Sequence, residues 1–237
     1  MGRAFEARKH AKLKRWGNMA KTFSRLSKEL TIAAKQGGSN PGNNPRLKLV
    51  MQNAKNEQMP KDKIDMAIAR ADNKNFEDYQ EIVYEGYGPQ SVAFIIEAST
   101  NNTNRTASNI RSYFTRAGGS LCPSGTHSYI FDHRVLFIIE TKNINKEELL
   151  FELIDYGVEE IEEENGELII DSPFKSFGAI HKILEEKNAS IIETEVKRVP
   201  TVTKAISEEL FIELEKLINK LEEDEDINFV YTNAIKN

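Results

Sequence analysis

Residues 135–199 spell out one closed folding unit, and what that unit leaves over constrains the rest of the chain. VLFIIET (135–141) is a strand-length apolar run, and KEELLFELIDY (146–156) has helical periodicity. VEEIEE (158–163) and ELIID (167–171) are strands around the turn Asn165-Gly166. PFKSFGAIHKILEEK (173–187) is a helix opened by Pro173, and SIIETEVKRV (190–199) is a strand. The order β-α-β-β-α-β is the ferredoxin-like split motif. Upstream, EIVYEGYGP (81–89) and SVAFIIEAS (91–99) read as strands joined by a Gly-Pro turn. TNRTASNIRSYFTRAGG (103–119) reads as a helix stopped at Gly118-Gly119, and THSYIFDHR (126–134) as a strand. This β-β-α-β set lacks one helix and one strand. Residues 207–226, SEELFIELEKLINKLEEDED, and 227–234, INFVYTNA, supply one of each with no partners nearby in sequence. The middle unit is therefore expected to be discontinuous, with the ferredoxin-like unit inserted in it.

The first zone has only helical period. Met19, Phe23, Leu26, Leu30 and Ala33 recur at spacings of 4, 3, 4 and 3 up to Gly37-Gly38. Asn44-Pro45 gives an N-cap and first-turn signal for a second helix with Leu47, Val50, Met51 and Ala54 on one side. Pro60 opens a third, with Ile64, Ala67, Ile68 and Ala71. The expected fold class is α+β, an N-terminal helical domain followed by two α+β domains, the last ferredoxin-like and inserted in the middle one. The expected boundaries are 1–76, then 77–133 plus 201–237, and 134–200 for the insert.

Charge is distributed unevenly over these zones. Residues 1 to 76 carry 17 Lys and Arg against 6 Asp and Glu, and the remainder carries 15 against 31, so a net charge of -5 hides a polar molecule. Such asymmetry points to a basic arm that meets a polyanion. Arg8, Lys9, Lys12, Lys14 and Arg15 precede the first helix. Lys21, Arg25, Lys28 and Lys35 lie about 200° around it from the apolar stripe, on what is expected to be its solvent face. A track of this kind neutralises successive phosphates, and Trp16 among the cations can stack on a base or support the bundle. Asn104, Arg105 and Arg111 form a second polar patch near the domain junction.

Catalytic patterns are poor. His10, His127, His133 and His181 form no HExxH or i,i+4 pair, and satisfied or exposed histidines are the better reading. Cys122 has no basic cluster beside it and reads as an inert thiol. GYGP at Gly86 is a turn, because phosphate loops need glycines between a strand and a helix. No cofactor, metal or small-molecule substrate is expected, and no enzymatic activity. No apolar run approaches membrane length and no secretory core follows the start, so a cytoplasmic protein without membrane contact is expected.

The blocks MGRAFE, KRWGNMAKTFSRLSKELTIAAKQGG, NPRLK, MPKDKID, VYEGYGP and NRTASNIRSYFTRAGGSL resemble the YebC/PmpR family over essentially the whole chain. GRAFEARKHAKLKRW departs from the opening AGHSKWxxIKH of many members. The resemblance implies the same three-domain arrangement. It also implies a nucleic-acid-binding regulator of gene expression, a DNA-binding transcriptional regulator first and a ribosome or ribosomal-RNA-associated translation factor as the alternative.

Overall fold

The computed structural model describes residues 19–73, 78–142 and 144–236. Three helices come first: α1 (Met19–Gly37), α2 (Pro45–Asn56) and α3 (Lys61–Ala69). Their core is Leu26, Leu30, Ala33, Leu47, Val50, Ala54, Ile64 and Ala67, as the periodicity requires. Met19 departs from the stripe and is 63% exposed. Asn44 joins two helix ends with one side chain. Its Oδ1 accepts from Leu47 N–H at 3.0 Å, while its Nδ2 donates to Ala33 O at 2.8 Å and Gly38 O at 2.9 Å. Orphan groups at both the C-terminus of α1 and the N-terminus of α2 are thereby satisfied.

After the helices, β1 (Gln80–Tyr87), β2 (Ala93–Thr100), α4 (Thr103–Arg116) and β3 (Ser120–Cys122) follow. Next come β4 (Phe131–Glu140), α5 (Lys146–Leu153), β5 (Ile161–Glu164), β6 (Glu167–Pro173), α6 (Phe177–Glu186) and β7 (Ile191–Pro200). The chain closes with β8 (Lys204–Ile206), α7 (Glu208–Glu222), β9 (Ile227–Thr232) and β10 (Ala234–Lys236).

One antiparallel sheet has the order β3-β1-β2-β9, so the C-terminal strand returns beside β2. Helices α4 and α7 cover one face of it through Ile110, Phe114, Leu210, Leu214, Leu217 and Leu221, packed on Phe94 and Ile96. The other sheet has the order β5-β6-β4-β7, the ferredoxin-like arrangement, with Phe137, Leu149, Leu153, Ile170, Ile180 and Leu184 in its core. Asn165 (φ 51°) and Gly166 (φ 81°) make the two-residue turn between β5 and β6, where a hairpin of this length needs positive φ at both positions. The molecule is α+β, with the ferredoxin-like unit between β3 and the elements α7 and β9.

Three local expectations are corrected. Residues 126–134 are not a strand of the middle unit; β3 takes that edge, pairing Ser120 with Tyr87 and Cys122 with Glu85. Phe131, Asp132, His133 and Arg134 instead open β4, which runs unbroken through residues 133 and 134 with Pro200, Val199, Arg198 and Lys197 of β7 opposite them. The helix expected from Pro173 starts at Phe177, since β6 extends to Pro173 and a 3-10 turn intervenes. The parallel pair β8 and β10 is too short to show an alternation in sequence.

Candidate nucleic-acid interface

Helix α1 presents its second face to protein rather than to water. Lys28 Nζ donates to Glu225 O at 2.6 Å and Ser99 O at 3.3 Å, and lies 3.6 Å from Asp226 Oδ1. Arg25 pairs with Glu29 at 2.9 Å, its guanidinium 4.6 Å from the centre of the Phe229 ring. Lys21 Nζ is buried without a hydrogen-bond partner. Burial pulls its pKa below 10.5, against Glu222 and Asp224, which act to raise it. The expected solvent face is thus corrected for Lys21, Arg25 and Lys28. The turn after α7, acidic from Glu222 to Asp226, lies against Lys21 and Lys28, while β9 covers Arg25 with Phe229, and a contact between residues 197 positions apart leaves no trace in helical periodicity. Lys35 is exposed and paired with Asp78, while Arg46 and Lys48 pair with Glu81 and Glu185. Much of the cation excess of α1 and α2 is therefore neutralised by the acidic half of the same chain.

Asp226 is the hub. Its Oδ2 accepts from Arg105 Nη2 at 2.8 Å, Thr106 Oγ1 at 2.8 Å and Thr100 Oγ1 at 3.1 Å. Burial alone would raise its pKa, but these donors and Lys28 hold it below the ordinary 3.8. Lys28 and Arg105, from the two patches read in the sequence, thus converge on one carboxylate. Asp224 plays the neighbouring part, accepting from Asn109 Nδ2 at 3.1 Å and the Tyr113 hydroxyl at 3.0 Å.

Helix α4 carries the open positive surface. Its sequence, TNRTASNIRSYFTR, has three arginines and no acid, and Asn102 caps it by accepting from Arg105 N–H at 3.0 Å. Asn104, Arg105, Arg111 and Arg116 are exposed, and among the described residues Arg111 and Arg116 form no ion pair. Ile110 and Phe114 anchor the opposite face in the core, so the arginines project from a rigid element. Arg116, which the sequence reading leaves out of the patch, joins Arg105 and Arg111 as an exposed cation in the last turn of the helix. The hub residues Asp224 and Asp226 gave only a local charge run. Arg8, Lys9, Lys12, Lys14, Arg15 and Trp16 lie outside the described residues.

Two histidines are drawn into the fold. His127 is fully buried, its Nε2 lies 2.9 Å from Gly86 O while its Nδ1 lacks a partner, and it sits beside Cys122 and Glu85. His133 stacks on Phe174 with ring centres 4.0 Å apart, and burial first, then Arg198, lowers its pKa from 6.5 to about 4. A base whose folded pKa is depressed opposes folding when charged. Its contribution is whole above 6.5 and declines as pH falls toward about 4. An NMR titration is expected to place His133 near 4, and His133→Gln should flatten the stability loss across that window.

Among the described residues no helix is long and apolar enough to cross a membrane. Residues 3–74 match the model of the TACO1/YebC protein N-terminal domain, and residues 79–234 that of the TACO1/YebC second and third domain. A relative from Parabacteroides distasonis named "probable transcriptional regulatory protein" is 51% identical over 98% of this chain and 96% of its own length. One of the same name from Porphyromonas gingivalis is 47% identical over 98% and 97%. A solved structure, a conserved hypothetical protein from Aquifex aeolicus, superposes with a TM-score of 0.75 at 34% identity, covering 93% of this chain and 92% of that one. Both domain models and full-length relatives above 40% identity agree in order and extent, and the chain belongs to the TACO1/YebC family.

Proposed function

We propose that the protein is a non-enzymatic regulator of gene expression that grips nucleic acid through phosphate contacts, with DNA as the target and transcription as the process. The observation that carries this reading is the outward face of α4, where Arg105, Arg111 and Arg116 stand on an acid-free helix in the acidic part of the chain. The names of the relatives support it. Exposed guanidinium groups on a surface helix suit phosphate oxygens, so backbone-dominated binding with specificity from DNA shape is the mode that fits.

The test is the salt dependence of binding to duplex DNA by the full chain. Each lost phosphate contact lowers the slope of log K against log salt by about 0.9, so Arg111→Ala with Arg116→Ala is expected to flatten it by about 1.8. Lys21→Ala with Lys28→Ala should change the slope little, because both ammonium groups are withdrawn from solvent within the fold. An unchanged slope in the arginine variant sinks the α4 interface. Salt-sensitive co-migration with ribosomal particles and no DNA binding would move the target to ribosomal RNA and the process to translation.

A further inference from the structure

We propose that the outward face of α5, in the inserted unit, is a docking surface for a lysine- or arginine-rich protein segment with an apolar anchor. Leu149 and Leu153 turn one side of this helix into the ferredoxin-like core. Positions 151 and 154 point away from that side, where an amphipathic helix ordinarily carries polar residues. Here they hold Phe151 and Ile154, 82% and 53% exposed and three positions apart, so they are neighbours on the helix surface. The 3-10 turn Ile154–Tyr156 follows, with Tyr156 also exposed. Gly157, at φ 83°, then brings the chain so close to Pro173 that an added Cβ would lie 3.1 Å from that ring. Tyr156 is thereby set beside the segment that carries Phe174, itself partly open to solvent and stacked on His133. Exposed apolar side chains scattered singly need no account, but these run together from α5 to the end of β6.

What covers them follows from the charge around them. Residues 144–167 hold ten Asp and Glu against one Lys. Glu147, Glu148, Asp155, Glu159 and Glu160 are exposed, and among the described residues Glu147, Asp155, Glu159 and Glu160 form no ion pair. Glu152 is engaged by Lys187 at 2.7 Å. Local stability explains only part of this acidity. Asn145 caps α5 by accepting from the N–H groups of Glu147 and Glu148 at 3.0 and 3.2 Å, and acids in a first turn suit the helix dipole. Asp155 stands past the opposite end, where the dipole disfavours an acid, and Glu159 and Glu160 lead into the edge strand β5.

Such a field repels nucleic acid and anionic lipid. The open cationic face of a second copy, α4, has no large exposed apolar residue to meet Phe151. A basic protein segment matches both features. Its Lys or Arg side chains meet the carboxylates and speed the encounter, while its apolar anchor covers Phe151 at the centre. The α5 surface stands independently of the α4 reading; together, two faces of opposite charge on separate units would let the chain bridge nucleic acid and a basic protein.

The test uses the full chain and a fluorescein-labelled amphipathic peptide of Lys and Leu, read by anisotropy, with a Glu and Leu peptide of the same spacing as control. The Lys/Leu peptide is expected to bind and the Glu/Leu peptide not to. Phe151→Ser should weaken binding about tenfold or more, as loss of a central anchor does. Because Phe151 is so exposed, its unfolding midpoint should stay at the wild-type value and its affinity for duplex DNA should not change. Asp155→Asn with Glu159→Gln should weaken the peptide by a similar factor and reduce the salt dependence. Glu213→Gln with Glu215→Gln, a charge-matched change at exposed positions of α7, should leave the affinity unchanged. Absence of peptide binding, equal affinity in Phe151→Ser, or equal weakening by the α7 pair would each overturn the surface. So would a concentration-dependent dimer in sedimentation that Phe151→Ser abolishes, which would assign the face to a second copy.

Discussion

Asp226→Ala is expected to lower the free energy of unfolding by about 3 to 5 kcal/mol, read from the midpoint of urea denaturation at constant slope. The carboxylate is 6% exposed as a residue and satisfies Arg105, Thr106 and Thr100 while facing Lys28, whose side chain is 11% exposed. Removing it leaves a nearly buried ammonium without its counter-charge and the fully buried Thr100 hydroxyl without its carboxylate acceptor, which is the expensive way to break an ion pair. Asp226→Asn keeps the shape and one acceptor oxygen, so it should cost less. The pH dependence has a definite sign. A carboxyl whose folded pKa lies below 3.8 gives stability that is whole above 3.8 and is lost as pH falls through the folded value. A loss under about 1 kcal/mol in Asp226→Ala would mean that the hub does not hold α1 to the body of the protein.

Phe114→Ala is expected to cost about 3 to 5 kcal/mol, the range for truncating a buried aromatic side chain. The ring is 0% exposed and meets Phe94 edge-on with centres 5.4 Å apart. It also fills the space that two glycines leave, since a Cβ on Gly86 would sit 2.8 Å from it and one on Gly119 3.2 Å. The cavity would therefore open beneath both β1 and the start of β3, and hydrogen exchange at residues 120–122 should accelerate with the fall in stability. Gly119→Ala approaches the same place from the opposite direction. Its Cβ would lie 2.4 Å from Tyr87 O, a backbone atom that cannot turn away, so overpacking of about 1 to 3 kcal/mol is expected. A Phe114→Ala protein with wild-type unfolding midpoint would show that α4 is not anchored there, and the rigid presentation of Arg111 and Arg116 would fall with it.

The surface ion pairs behave differently from the hub. Lys35 with Asp78, Arg46 with Glu81 and Lys48 with Glu185 are all at least partly solvated, and each is worth about 0 to 1 kcal/mol. Their joint effect is on orientation. Lys35 ties α1 to the segment before β1, Arg46 ties α2 to β1 and Lys48 ties it to α6, while Gln52 donating to Ile191 O and Asn56 Nδ2 donating to Ile192 O at 3.0 Å set α2 against β7.

What was legible in the sequence is local in physical origin. Helix faces followed from a 3.6-residue period, the Asn44 cap from cap chemistry, and the Asn165-Gly166 hairpin from turn chemistry. The leftover helix and strand of residues 207–234 had to return to the middle sheet, because an unpaired strand leaves its backbone groups unsatisfied. Asn104, Arg105 and Arg111 could likewise be placed on one predicted helix. Tertiary structure alone decided where the charges go. Period tells which residues share a face but not what that face meets, and the asymmetry that pointed outward to a polyanion also points inward, with Lys28 meeting Asp226 across 198 positions. The same holds for Glu85, Cys122 and His127: two lie on facing strands and the third returns through a turn, and side chains placed together by strand register and chain reversal share no spacing that a linear reading could detect.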